Sequence, residues 1–108
     1  MDKRELRRQY KEKKTPRGVY VIRCTASGEV WASGSNHLNS VRNSEWFQLR
    51  SGGHRNKQLQ QAWNAHGEAA FEYEIVETFD DDVSSVLLSD MMRDRAKAWQ
   101  ERLGALAV

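Results

Sequence analysis

The chain has 108 residues, 39% of them hydrophobic and 30% charged, with four Trp, three Tyr and three Phe. That composition allows one globular domain with an aromatic core and excludes a disordered chain. Net charge is only +2, no apolar run is long enough to cross a membrane, and a lone Cys24 excludes an internal disulfide and argues against structural zinc. With a charged rather than leader-like first stretch, the expectation is a cytoplasmic protein.

Residues 2–13 are rich in helix formers, with Asp2 and Glu5 suited to a first turn and Leu6 and Tyr10 one turn apart; Thr15-Pro16-Arg17-Gly18 ends that helix. The β-branched and aromatic run 19–24 predicts a strand, Ala26-Ser27-Gly28 a turn and 29–32 the returning strand. Ser33 to Asn36 then reads as a polar loop, and Leu38, Val41, Trp46, Phe47 and Leu49 as a helix broken near Arg42-Asn43-Ser44 and closed by Gly52-Gly53. Leu59, Ala62 and Trp63 predict a second helix over 54–65, and the alternating 71–76 a half-buried strand. Asp80, Asp81 and Asp82 form a cap for a long last helix marked by Val83, Val86, Leu87, Met91, Ala98 and Leu103. The sum is an α+β fold, a small antiparallel sheet covered by helices, with a basic helical extension at 1–17 and the domain proper at 18–104.

Charge is unevenly spread. Residues 1–17 hold eight Lys/Arg against Asp2, Glu5 and Glu12, a net of +5 that leaves −3 for the rest. Arg42, Arg50, Arg55 and Lys57 oppose only Glu45, while Glu68, Glu72, Glu74, Glu77 and the three aspartates follow with no basic residue among them. Such polarity steers a polyanion to one face, and it equally describes a solvated surface with ordinary clusters.

Gly18-Val19-Tyr20, followed eleven residues after the tyrosine by Trp31-Ala32-Ser33, resembles the paired tripeptides of the GIY-YIG nuclease superfamily. The likeness continues through Leu49, Gly52, His54, Asn56, Leu59, Gln60, Trp63, Gly67, Glu68, Phe71, Tyr73, Glu74 and Glu77, in the order of small bacterial members. It covers residues 18–77. The resemblance implies a three-stranded antiparallel sheet flanked by helices and hydrolysis of nucleic-acid phosphodiesters with one divalent metal, Mg²⁺ or Mn²⁺. DNA is then the expected partner ahead of RNA, with no membrane role.

Carried over residue by residue, the resemblance makes Tyr20 the first tyrosine and His54 the active-site histidine of some members. Trp31 stands at the second tyrosine, and indole lacks the phenolic oxygen. The helix arginine falls on Val41, with Arg42 adjacent but about 100° around the helix. The metal-binding glutamate of the last helix falls on Ala96, three residues before Trp99, which leaves Asp94 as the candidate metal ligand. The candidate catalytic set is therefore Tyr20, Trp31, Arg42 and His54, with Arg50, Arg55 and Lys57 as the nucleic-acid contact. The implied hydrolysis is impaired or lost, leaving binding. The alternative is a protein-interaction or regulatory module that keeps only the fold, with the N-terminal helix docking, including as a homodimer. Tyr20 also fits a packed strand aromatic, Trp31 a core side chain, and Asp94, between Arg93 and Arg95, an ordinary charged helix face.

Overall fold

A computed structural model describes residues 16–79 and 84–108. The helix expected over 2–13 and the Asp80, Asp81 and Asp82 cap lie outside the described residues.

The strands are β1 (Arg17–Cys24), β2 (Val30–Ser35) and β3 (Phe71–Phe79), in the spatial order β2-β1-β3 with both pairings antiparallel. Tyr20 faces Ser33 and Ile22 faces Trp31 across the hairpin. Side chains alternate between sheet faces, so Tyr20, Ile22, Cys24 and Trp31 share one face. Helices α1 (Leu38–Ser51) and α2 (Lys57–His66) cover it, burying Leu38, Trp46, Leu49, Leu59, Ala62 and Trp63 against those strand residues. The opposite face carries Val19, Val21, Ala32 and Gly34 and is covered by α3 (Ser85–Leu103).

Two glycines are required by close approach. A Cβ at Gly18 would strike the Glu77 carbonyl where a register shift brings β3 in after Val19. One at Gly34 would strike Met92 of α3.

The structure differs from the sequence expectations at several boundaries. β2 continues through Ser33, Gly34 and Ser35, because Tyr20, Val19 and Gly18 pair with them in turn. α1 is unbroken at Arg42, Asn43 and Ser44. Those residues lie on its solvent side, while Leu38, Glu45, Trp46 and Leu49 keep the buried face continuous. α2 starts at Lys57 under an Asn56 cap, so His54 precedes the helix. α3 buries Leu88 and Ala96, whereas the predicted apolar markers Val86 and Leu87 are 80% and 60% exposed. After α3, Leu106 returns beside Trp31 in a parallel bridge to β2.

Candidate phosphate-binding site

An unbroken series of aromatic contacts fixes one end of the site. Tyr20 meets Tyr73 at 5.6 Å, Tyr73 meets Trp46 at 6.3 Å, and Trp46 meets Trp63 edge-on at 5.6 Å. Trp63 then meets Phe71 at 5.2 Å, which stacks on Trp31 at 6.4 Å. Each such pair contributes about 0.5–1.5 kcal/mol beyond area burial. The Tyr73 hydroxyl donates to the Leu38 carbonyl at 3.0 Å, tying β3 to the first residue of α1. Tyr20 is thus held on both sides by structure rather than by substrate.

Beside Tyr20 lies a buried polar cluster. Glu45 projects from the apolar face of α1 with only 2% of its side chain exposed. It accepts from His54 Nε2 at 3.0 and 3.2 Å and from both terminal nitrogens of Arg55 at 3.3 Å. His54 Nδ1 accepts the Asn56 N–H at 2.9 Å, which assigns the proton to Nε2. The His54 N–H donates to Gln60 Oε1 at 3.0 Å, and Gln60 Nε2 donates to the Leu49 carbonyl at 3.0 Å. The loop between α1 and α2 is therefore locked onto both helices. Desolvation, then the neighbouring Glu45 carboxylate, pushes the Tyr20 phenol far above its ordinary value, with Arg55 pulling the other way. Burial also pushes Tyr73 up to about 12, opposed by Arg42 and assisted by Glu45. At neutral pH Tyr20 keeps its phenolic proton, and its oxygen accepts from the Arg55 guanidinium.

The candidate residues named from the sequence separate into groups. Tyr20, His54 and Arg55 come together around Glu45. Trp31 is fully buried in the core, its indole N–H without a partner among the described residues. Arg42 is exposed, lies over the Trp46 ring at 5.4 Å, and borders an open hollow of about 520 Å³ with Arg23, Phe71, Glu72, Tyr73 and Glu74. Arg50 spends its fork on Glu68, at 2.9 and 2.7 Å, on the surface. Lys57 is exposed at the start of α2. Asp94 is exposed on α3, two residues and so about 200° around the helix from the buried Ala96.

Glu45, Tyr73 and Gln60 were named in the sequence reading but given no role at the site. Glu45 carried a legible signal: it stands seven residues after Leu38, one before Trp46 and four before Leu49, on the apolar face of its helix. A charge there must be buried and paired.

At the position where the resemblance puts the metal, the described residues do not fit a divalent cation. Ala96, at the position where the resemblance puts the metal-binding glutamate, lines a hollow of about 290 Å³ with Gly34, Ser89, Met92 and Arg93, which offers no carboxylate and one cation. Among the described residues no group of three or more His, Cys, Asp or Glu could hold a metal ion.

Three strands in the order β2-β1-β3 with helices on both faces make the GIY-YIG nuclease-domain fold. The particular structures that share it are of the catalytic domain of the intron endonuclease I-TevI. A point mutant of that domain superposes with a TM-score of 0.70 and 24% identity, over 83% of this chain and 86% of that one. A second structure, described as the catalytic domain of the homing endonuclease I-TevI, gives 0.67 and 24%, over 82% and 88%. No protein-family model and no curated protein sequence matches the chain.

Proposed function

We propose that this protein binds nucleic-acid phosphates, DNA ahead of RNA, through Lys57 and the exposed Arg55, which stands over the buried Tyr20, and that metal-dependent hydrolysis there is impaired or lost. The observation that carries this reading is the pairing of an exposed guanidinium with a buried, protonated phenol in a nuclease-domain fold, while the hollow beside Ala96 on the other sheet face has no carboxylate in its lining. Phosphate attraction to Lys and Arg needs no metal, so binding outlives the loss of a metal ligand. Hydrolysis does not, since it needs charge stabilisation at the transition state and an activated water. A cytoplasmic setting belongs to the same reading. Among the described residues no helix is long and apolar enough to cross a membrane.

Labelled single- and double-stranded DNA and RNA, incubated with the protein in Mg²⁺ or Mn²⁺ at several salt concentrations, test it. Salt-dependent retention of intact nucleic acid is the expected result. Metal-dependent cleavage that disappears in Tyr20→Phe would overturn the loss of hydrolysis, and absence of any binding would overturn the whole reading. A second reading, a protein-interaction module that keeps only the fold, is favoured by the exposed Val86 and Leu87 on α3. In that case a Val86→Ser, Leu87→Ser double variant changes oligomeric state in light scattering.

A further inference from the structure

Arg55 differs from the other surface cations in what stands behind it. Its side chain is 58% exposed, yet both terminal nitrogens rest on a carboxylate that is itself only 2% exposed. His54 adds no charge to the cluster, because its Nδ1 lone pair is taken by the Asn56 N–H. Among the described residues, Arg55 is the charged partner of the Glu45 carboxylate. A buried carboxylate stripped of its partner is costly, so Arg55 stays engaged rather than swinging free. Guanidinium carries five N–H donors, and a fork facing Glu45 leaves others directed to solvent. Arg50 lacks such backing: its partner Glu68 is 47% exposed and competes for the same fork face.

We infer that Glu45 is a positioning residue that holds Arg55 as the phosphate-binding guanidinium of this site. The inference rests on the nucleic-acid reading above and adds the group that orients the contact. It also accounts for the missing helix arginine. Val41, at that position, packs at the margin of the aromatic core. The positive charge beside Tyr20 comes instead from the loop before α2, anchored to α1 through Glu45.

Orientation and charge separate experimentally, because lysine keeps the charge but cannot make the two-pronged contact. Equilibrium binding of a labelled DNA oligonucleotide is measured for the wild type, Arg55→Gln, Arg55→Lys and Arg50→Lys, and for Glu45→Gln in the wild-type and Arg55→Lys backgrounds. Both Arg55 variants are expected to bind about tenfold more weakly or worse, and Arg50→Lys within about twofold of wild type. Glu45→Gln is expected to weaken the wild type but to add nothing to Arg55→Lys. Wild-type affinity in Arg55→Lys, or an equal penalty from Glu45→Gln in both backgrounds, overturns the inference.

Thermal melts of each variant separate loss of binding from loss of fold, and Arg55→Lys keeps a positive charge beside the buried Glu45. A second readout is independent of nucleic acid. The Arg55 guanidinium N–H resonances should be resolved by NMR in the wild type and averaged with solvent in Glu45→Gln. Resonances unchanged in Glu45→Gln would overturn the positioning role. A wild-type protein that binds neither DNA nor RNA overturns the functional reading and the phosphate role together, while the resonances still decide whether Glu45 holds Arg55.

Discussion

The two faces of the sheet carry different chemistry. On the face under α1 and α2, Tyr20, Glu45, His54 and Arg55 form a satisfied polar cluster set into an aromatic core. On the face under α3, Gly34 lies close against Met92, and Ala96 is buried. Among the described residues, the first face gathers a buried carboxylate with the donors that satisfy it, whereas the hollow beside Ala96 has no carboxylate in its lining.

The largest effect expected from breaking the first face is at Trp46, which touches Trp63, Tyr73 and Arg42. Trp46→Ala should cost about 3–5 kcal/mol in urea denaturation, through lost burial and the cavity left behind. Next comes Gly18→Ala, whose new methyl meets the backbone carbonyl of Glu77 and cannot be relieved by a rotamer change. A loss of about 1–3 kcal/mol is expected, whereas Gly34→Ala, opposed only by the flexible Met92 side chain, should cost less. Equal losses at the two glycines would mean that α3 packs as rigidly as the strands do.

Electrostatic changes come lower in the series. Glu45→Gln should destabilise by about 1–3 kcal/mol, since the His54 and Arg55 donors lose a charged acceptor. Glu68→Gln should leave the urea melt close to that of the wild type, because the Arg50–Glu68 pair is exposed. The phenols make an alkaline prediction. Both Tyr20 and Tyr73 lie above the free value of about 10, so the unfolded chain loses these protons first. Their stability contribution is whole below pH 10 and is lost as pH rises through 12, and Tyr73→Phe should flatten that loss in a melting series. The smallest effect is at Asp94, where Asp94→Asn should leave nucleic-acid binding unchanged.

Much of the fold was legible because its signals are local. Alternation in 71–76, the turn before Gly28 and the Leu59, Ala62, Trp63 spacing each mark an element by its own residues. The length of β2 was not, since Ser33 and Ser35 become strand only through pairing with Gly18 and Tyr20. The buried face of α3 was missed for a similar reason: Ala96 and Leu88 are selected by the sheet they meet, not by the helix's most apolar stripe. At the site, Tyr20, His54 and Arg55 were named from the sequence, but Glu45 was counted as a surface charge. Its partners are nine and ten residues away, and only the α1–α2 loop brings them together.

The most direct test compares DNA binding in a metal chelator with binding in Mn²⁺, scoring cleavage in the same samples. The contrast between the two faces calls for equal, salt-dependent affinity under both conditions, with the DNA intact. Affinity that collapses in the chelator, or Mn²⁺-dependent cleavage abolished by Tyr20→Phe, would show that a metal acts at this site after all.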